Sequence, residues 1–349
     1  MPVTAPGRLR LQLAVCAAAT ATLVAGCSGG QTTATTPDAG VLTELQKSYT
    51  DVVNRVLPSV VEIKSPSGVG SGVILDPAGN VVTNAHVVGR DTEFRVRLST
   101  GAELPASLVA TFPPDDIAVI RMRGASGLVP ASWGNSSELE VGDIVMAMGS
   151  PLGLESSVTD GIVSAVGRTV PEPPGPAGPG TVLRQVIQTS APINPGNSGG
   201  ALVNAAGQVI GIPTLAAVNN ELGSAANGIG FAVPSDVARD LANQMITHGR
   251  VVNSRRAALG ITTTTVTDAS GAPIGVGVVA VRPGGPAAAA GLRPGDVIIA
   301  IAGEPVTDVL AMQDVLARRS PGERVDLTVN RAGTVQTVSV VLEELATTQ

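Results

Sequence analysis

The sequence predicts a mainly β chain with more than one domain, and three observations support this class. Apolar residues make up 44% of the 349 residues but aromatic residues only 1%, so the core must consist of aliphatic side chains that suit strands. From residue 60 onward, short β-branched segments alternate with turn residues at a spacing typical of β-barrels. A chain of this length can fold as two domains of ordinary size.

The first 26 residues have the composition of an export signal. Arg8 and Arg10 form a positive start without an acid, and the apolar run at residues 11–25 is too short for a membrane span. The run ends in Val-Ala-Gly-Cys, which resembles a bacterial lipobox. We therefore expect residues 1–26 to be a lipoprotein signal peptide and Cys27 to carry a lipid that attaches the protein to the membrane. The alternative is an ordinary signal peptide followed by an incidental cysteine.

The other cysteine, Cys16, lies within this expected signal peptide. The mature chain would then keep Cys27 alone, and that residue lipidated. We expect no internal disulfide, although the protein is expected to be exported.

The segments after the signal lead into the fold. Residues 27–45 begin with a Ser/Thr/Gly/Ala stretch and are predicted to form a flexible tether. Apolar residues recur near helical spacing within residues 41–56, which predicts a short amphipathic helix.

Short strands and turns follow. Strands are predicted at residues 60–63, 72–75 and 81–83. Asp-Pro-Ala-Gly-Asn at residues 76–80 predicts a hairpin turn, because Pro presets φ and Gly accepts a positive φ. Ala-Ala-Gly at residues 205–207 predicts a second turn of this kind.

Two further segments break this pattern. The Pro/Gly-rich residues 171–180 are predicted to be neither strand nor helix. Residues 235–247 are predicted to form a helix, with Ser235 as its cap and Gly249 at its end. A polar joint is predicted at residues 253–256.

The pentapeptide Gly-Asn-Ser-Gly-Gly at residues 196–200 is the most informative motif. A serine between glycines can lie on a tight loop that supplies a nucleophile and backbone N–H donors together. His86 lies upstream in Thr-Asn-Ala-His-Val-Val, and Asp116 directly precedes Ile-Ala-Val. The order His, Asp, Ser is that of chymotrypsin-like enzymes.

Each of these residues has a structural competitor. His248 is the only other histidine, and it ends a predicted helix, where an imidazole suits the helix dipole. Asp115 lies beside Asp116, but Asp116 is the residue next to the predicted strand. His86 and Asp116 are therefore the candidates for catalysis.

These motifs carry a resemblance to a known family. Together with Val-Thr-Asp-Gly-Ile-Val-Ser at residues 158–164 and Gly-Ile-Gly-Phe-Ala-Val-Pro at residues 228–234, they follow one another as in the bacterial HtrA/Deg serine proteases. The resemblance covers about residues 56–342. Two positions depart from the family, which often has Asp at Ser190 and Pro at Ala201, and neither is catalytic there.

The resemblance implies a fold of two six-stranded β-barrels of the chymotrypsin type, followed by one PDZ domain. The protease domain is expected at residues 46–248, a linker at 249–256 and the PDZ domain at 257–345. Residues 286–298 resemble the most recognisable PDZ segment. A helix near residues 308–318 and a hairpin at residues 325–340 would complete that domain.

The resemblance also implies the roles of the site residues. Ser198 would be the nucleophile, His86 the general base, and Asp116 the residue that orients the histidine. The oxyanion hole would be built by Gly196, Asn197 and Ser198, with the N–H groups of the first and third as donors.

In the PDZ domain, Leu259, Gly260 and Ile261 resemble the loop that binds a peptide carboxylate. We expect this domain to bind C-terminal peptides by strand addition. By the family's layout residues 171–180 would be a regulatory loop that contacts the PDZ domain, and the alternative is an ordinary surface loop.

The expected activity is that of an ATP-independent serine endopeptidase that degrades unfolded or damaged exported proteins. Trypsin-like selectivity needs an acid six residues before the serine, where this chain has Pro192, flanked by Ala191 and Ile193. Small or medium aliphatic side chains are therefore the expected specificity. The family resemblance implies a homotrimer, to which Tyr49 is the only aromatic residue that the N-terminal segment could contribute.

Several classes of function are excluded. The net charge is −6 and no basic patch carries interleaved aromatics, which excludes nucleic acid as a partner. Two distant histidines and a lipidated cysteine make no metal site, and the glycine-rich stretches do not match a phosphate loop, so no cofactor is expected. The alternatives to a protease are a non-proteolytic peptide-binding chaperone and a PDZ scaffold of the cell envelope. The complete set of three catalytic residues favours the protease.

Overall fold

The computed structural model describes residues 39–66, 68–150, 157–172, 180–194, 196–219 and 224–345. The expected signal peptide, Cys27 and most of the expected tether lie outside these residues. No helix in this described part of the chain is long and apolar enough to cross a membrane.

Helix α1 spans Ala39–Val56, which confirms the helix predicted at residues 41–56. It begins inside the segment expected to be a tether, so the tether prediction was too long. Val52 and Val56 are buried, and the partly buried Tyr49 packs against the same apolar cluster. Tyr49 therefore contacts the core of its own chain.

The first barrel is a closed sheet of six antiparallel strands in the order β1-β2-β3-β6-β5-β4. Its turn at residues 76–80 is the predicted one, since the Asp76 carboxylate accepts the backbone N–H groups of Ala78 and Asn80 and Gly79 has a φ of 86°. The short helix α2, Ala85–Val88, follows the third strand. The strands are β1 Val60–Ser65, β2 Gly68–Ile74, β3 Asn80–Thr83, β4 Glu93–Arg97, β5 Glu103–Phe112 and β6 Ile117–Met122.

The second barrel is closed in the order β10-β11-β12-β9-β8-β7, so the expected pair of six-stranded barrels is confirmed. One apolar cluster joins the two barrels, with Val60 and Val73 of the first in contact with Met146, Met148 and Val203 of the second region. The strands are β7 Ile144–Gly149, β8 Ser157–Glu172, β9 Thr181–Thr189, β10 Ala201–Asn204, β11 Val209–Asn219 and β12 Ser224–Pro234.

The Pro/Gly segment differs from its prediction at its first two residues. Pro171 and Glu172 belong to β8 and pair with Val182 and Thr181 of β9. The pairing of β7 with β8 ends at Ile162, so the later part of β8 has a free edge, where a proline costs no ladder hydrogen bond. Residues 173–179 lie outside the described residues.

Helix α3, Ser235–His248, follows the last strand of the second barrel. The predicted cap was wrong: the Ser235 hydroxyl is buried and donates to the carbonyl of Gly134 at 3.0 Å, and it makes no cap hydrogen bond. Gly249 ends the helix in the left-handed region, as predicted. His248 lies exposed in the last turn, consistent with a structural role.

The C-terminal module is a second β structure with its own apolar core. A six-stranded sheet carries helix α4, Pro286–Ala289, and helix α5, Val309–Ala317, whose N-cap is Asp308. The predicted helix and closing hairpin are therefore confirmed. The strands are β13 Ala257–Ala258, β14 Ile261–Thr267, β15 Pro273–Val281, β16 Val297–Ile301, β17 Glu304–Pro305, β18 Arg324–Arg331, β19 Thr334–Val341 and β20 Glu343–Glu344, of which β13 pairs with β20 apart from the main sheet.

The polar joint predicted at residues 253–256 is partly buried, with Ser254 and Arg256 buried and Asn253 and Arg255 exposed. Arg256 is buried, and its guanidinium donates to the Pro114 carbonyl and the Asp115 carboxylate, each at 2.5 Å. It also donates to the carbonyl of Val182 at 2.8 Å. The last residue of the predicted joint therefore lies in the interior between the barrels and the C-terminal module.

Candidate active site

The segment before His86 is fixed to the segment that carries Asp116. After β3 ends, the N–H of Ala85 and the side-chain amide of Asn84 both donate to the Asp116 carbonyl, at 3.2 and 3.0 Å. Asn84 is fully buried, so this attachment is shielded from water. The one-turn helix α2 then presents His86 at the rim of the first barrel.

His86 and Asp116 make two direct hydrogen bonds. The imidazole Nδ1 lies 2.8 Å from Asp116 Oδ2, and the His86 backbone N–H donates to Oδ1 at 2.9 Å. The carboxylate side chain is 3% exposed and the imidazole 29%. Since an ionised carboxylate only accepts, Nδ1 carries the proton and Nε2 is left as the basic nitrogen.

Asp116 itself adopts an uncommon backbone conformation. Its φ of 51° and ψ of 41° place it in the left-handed region, which costs a non-glycine residue about 1 kcal/mol or more. The contacts of its carbonyl and carboxylate maintain this conformation. The preceding residue, Asp115, faces Arg256 instead, so the two neighbouring acids serve different partners.

Thr214 is a site residue that sequence reasoning missed. Its hydroxyl donates to Asp116 Oδ2, and its backbone carbonyl accepts the Ser198 hydroxyl at 3.2 Å. Thr214 therefore contacts two of the three expected catalytic residues. Nothing in its local sequence signals this, because the contacts depend on the meeting of the two barrels.

Ser198 lies on a turn that contacts the first barrel. Its carbonyl accepts the N–H of Ser71 at 3.0 Å. Gly199 has a φ of 79°, and a Cβ there would lie 2.3 Å from the Ser71 carbonyl oxygen, so only glycine fits. Among the residues that the structure describes, the Ser198 hydroxyl donates to Thr214 and makes no hydrogen bond with His86.

The expected oxyanion loop is braced from both sides. The Ser71 hydroxyl donates to the Gly196 carbonyl and accepts the N–H of Ser150 at 2.8 Å. The buried Asn197 side chain accepts the N–H of Asn194 at 3.0 Å and donates to the Pro192 carbonyl at 3.1 Å.

This bracing leaves two donors for an oxyanion. Within the described part of the chain, the N–H groups of Gly196 and Ser198 have no acceptor, whereas that of Asn197 donates to Asn194. Of the three residues expected to build the hole, Gly196 and Ser198 are thus placed as donors and Asn197 as a brace. Ser71 is a second residue that the sequence analysis missed, although a serine flanked by Gly70 and Gly72 in a strand was a visible signal.

The residues expected to form the primary pocket are placed differently from one another. Ala191 and Ile193 are buried in the core of the second barrel, and only Pro192 has an exposed side chain. In this irregular segment, which follows the end of β9 at Thr189, two of the three predicted pocket side chains therefore point into the core. Carboxylates are absent from all three positions.

Glu172 is a third ionisable side chain beside the pair. Ligand atoms of His86, Asp116 and Glu172 all lie within 4.8 Å of one another. This composition also occurs in metal sites, but both Asp116 oxygens here accept hydrogen bonds from His86 or Thr214. Sequence analysis missed Glu172, although it is the only charged residue of the Pro/Gly segment.

The pKa values of Glu172 and His86 are both raised in this group. Burial and the charge of Asp116 raise the pKa of Glu172 to about 7, and the charge of His86 acts in the opposite direction. Burial of the imidazole lowers the pKa of His86. The hydrogen bond and charge of Asp116, together with the charge of Glu172, outweigh burial and raise that pKa above 6.5.

A second candidate site lies in the C-terminal module, in a cavity of about 650 Å³. Its walls include the predicted loop residues Leu259, Gly260 and Ile261, and Leu316 of α5 opposite them. Within the described residues, the N–H groups of Leu259 and Gly260 have no backbone acceptor, as a carboxylate site requires. Pro114, which lies just before β6 of the first barrel, also lines this cavity.

Comparison with known families gives two matches along the chain. Residues 70–212 match the trypsin-like peptidase domain, and residues 257–342 match the PDZ domain. The two matched segments correspond to the barrel region that carries the site and to the C-terminal module.

Relatives with both parts are named serine proteases. PepD, a serine protease of Mycobacterium tuberculosis, is 40% identical over 337 residues, which cover 91% of this chain and 71% of PepD. The serine endoprotease DegS of Haemophilus influenzae is 34% identical, over 85% of this chain and 88% of DegS. A probable periplasmic DegP-like endoprotease of Pseudomonas savastanoi is 38% identical, but the chain spans only 57% of its length.

A solved structure shows the same arrangement. The HtrA-type protease AlgW with a tripeptide matches with a TM-score of 0.57 and 34% identity, over 86% of this chain and 98% of AlgW.

Proposed function

Because this chain belongs to the HtrA/Deg family of serine proteases with a trypsin-like domain and a PDZ domain, we propose that it hydrolyses peptide bonds with Ser198 as nucleophile. His86 is the general base and Asp116 holds its tautomer. The observation that carries these roles is the continuous contact from His86 to Asp116 to Thr214 to Ser198. A protein that only binds peptides has no need of this arrangement.

The mechanism follows from the hydrogen bonds. His86 Nε2 takes the Ser198 proton as the hydroxyl attacks the peptide carbonyl, and the buried Asp116 stabilises the imidazolium that forms. For this step the hydroxyl turns from the Thr214 carbonyl to His86. The N–H groups of Gly196 and Ser198 then stabilise the oxyanion, each by about 3–4 kcal/mol.

The substrates we propose are unfolded or damaged exported proteins, cleaved without ATP. Several relatives are named periplasmic endoproteases, which supports an exported protein. Pro192, the exposed residue among 191–193, offers no carboxylate to a basic side chain, which supports cleavage after small or medium aliphatic residues. Attachment through a lipid on Cys27 and assembly as a homotrimer are also proposed.

The test compares the purified mature protein with its Ser198→Ala and His86→Ala variants on an unfolded protein substrate. Both variants should lose proteolysis by at least about a thousandfold and keep the fold, because a catalytic triad fails as a unit. If Ser198→Ala still cut at about a tenth of the wild-type rate, another residue would have to be the nucleophile. If the wild type only prevented aggregation, the chaperone alternative would replace the protease.

We also propose that the PDZ domain binds hydrophobic C-terminal peptides along Leu259–Ile261 and thereby favours the active form of residues 171–180 and 191–196. Pro114 of the first barrel lines the same cavity as Leu259, Gly260 and Ile261, which supports coupling between the two parts of the chain. A ligand activates only by as much as it prefers the active form, commonly about 5- to 150-fold. An activator peptide should stimulate cleavage of a short chromogenic substrate by the full chain and not by a variant lacking residues 259–349. Equal stimulation of both, or of neither, would make the PDZ domain a tether for substrates.

A further inference from the structure

Glu172 lies where a substrate side chain would pass. It is the last residue of β8, on the second barrel, yet its carboxylate reaches His86 and Asp116 on the first. Its strand partner Thr181 donates a hydrogen bond to the Pro114 carbonyl at 3.3 Å, which holds this end of the hairpin against the segment that carries Asp116. Glu172 is thus a rim residue of the cleft.

The charge at this rim is negative and incompletely balanced. Asp116 is buried and its oxygens accept hydrogen bonds from His86 and Thr214, while Glu172 is only partly buried. A single imidazole faces these two carboxylates. Arg256, which donates to the Pro114 carbonyl of the neighbouring segment, is paired with Asp115.

An extended substrate brings one particular side chain to Glu172. Successive side chains of an extended peptide point to opposite sides. If the residue before the cleaved bond points toward Pro192 on the second barrel, the residue preceding it points toward the first barrel. There it meets the exposed edge of His86 and the carboxylate of Glu172.

We propose that Glu172 is a specificity-determining residue that selects a lysine or arginine side chain at the second substrate position before the cleaved bond. This inference rests on the proposed protease function and adds a second preference to the aliphatic one. A cation there pairs with Glu172, whereas an acidic side chain is repelled. The preference disappears when the Glu172 carboxyl is protonated.

The experiment uses short peptide p-nitroanilides with valine before the cleaved bond and lysine, glutamine or glutamate preceding the valine. The wild type at pH 8.5 should favour lysine over glutamine by about fivefold or more in kcat/KM, the scale of one partly screened charge pair. Glu172→Gln should bring the ratio near one, and Glu172→Lys should make glutamate the preferred residue. Glu140→Gln removes the same charge at an exposed turn and should keep the wild-type ratio.

A second measurement needs no variant. The wild-type ratio of lysine to glutamine should fall toward one as the pH drops below about 7, the pKa of Glu172. Both substrates are compared at the same pH, so the titration of His86 cancels. A wild-type lysine-to-glutamine ratio of one at pH 8.5, or an unchanged ratio in Glu172→Gln, would overturn the proposed role of Glu172 and leave the proposed protease function intact. Undiminished cleavage by Ser198→Ala, or no cleavage of any peptide by the wild type, would overturn the proposed function and this inference with it.

Discussion

Arg256→Ala should be among the most destabilising single substitutions in the chain. The guanidinium makes hydrogen bonds to the Pro114 and Val182 carbonyls and an ion pair with Asp115, and the two charged side chains are 8% and 7% exposed. Removing it leaves the Asp115 carboxylate buried without its partner. Breaking a buried pair in this way costs about 3–5 kcal/mol. At about 2 °C or more per kcal/mol, the thermal midpoint should fall by roughly 6 °C or more.

The matched control is the neighbouring residue. Arg255 is 75% exposed and lies 3.6 Å from Asp240, so Arg255→Ala should cost less than about 1 kcal/mol. The double variant Asp115→Asn with Arg256→Met should recover part of the loss, because no buried charge is left unpaired. Thermal and urea unfolding followed by circular dichroism give all three values. A loss in Arg256→Ala no larger than that in Arg255→Ala would refute the buried ion pair.

Two further predictions concern catalysis. Ser71→Ala should lower kcat by about a hundredfold with KM little changed, because the Gly196 carbonyl loses the hydroxyl that donates to it and the expected oxyanion loop is no longer held in place. Steady-state cleavage of a short peptide measures this effect. A kcat within twofold of the wild-type value would contradict the prediction. The acid limb of kcat/KM should lie above pH 6.5, since activity needs neutral His86 and the pKa of His86 is raised. In Glu172→Gln the limb should move to lower pH, because a negative charge that favours the imidazolium is removed. A limb at or below 6.5 in the wild type would show that the charges do not outweigh burial.

Features set by local chemistry could be predicted from the sequence. The turn at residues 76–80 and the helix end at Gly249 depend on residues within a few positions, and both were confirmed. The barrels followed from five motifs in family register, and the C-terminal module from the resemblance of residues 259–261 and 286–298 to PDZ segments. The order of His86, Asp116 and Ser198 along the chain could likewise be read directly.

Features set by distant contacts could not be predicted. Ser235 has the composition of a cap, but the carbonyl of Gly134 lies within reach of its hydroxyl and replaces the cap. Arg256 reads as part of a polar joint until the fold brings Asp115 to it. Thr214, within β11, and Glu172, at the end of β8, enter the site because the second barrel packs beside the first. Each miss is a polar side chain whose partner is remote in sequence.

The three residues before Asp116 connect the two candidate sites. They form the one-turn helix Pro113–Asp115, in which Pro114 lines the cavity of the PDZ domain and Asp115 binds Arg256 beside that cavity. Asp116 follows directly, in a left-handed conformation that its contacts must maintain. A displacement of Asp115 by Arg256 acts one residue from Asp116, so only the φ and ψ torsions of these two residues separate it from the Asp116 carboxylate. We therefore expect a peptide bound in the cavity to affect the contact of Asp116 with His86 through this segment, by a path that does not include residues 173–179.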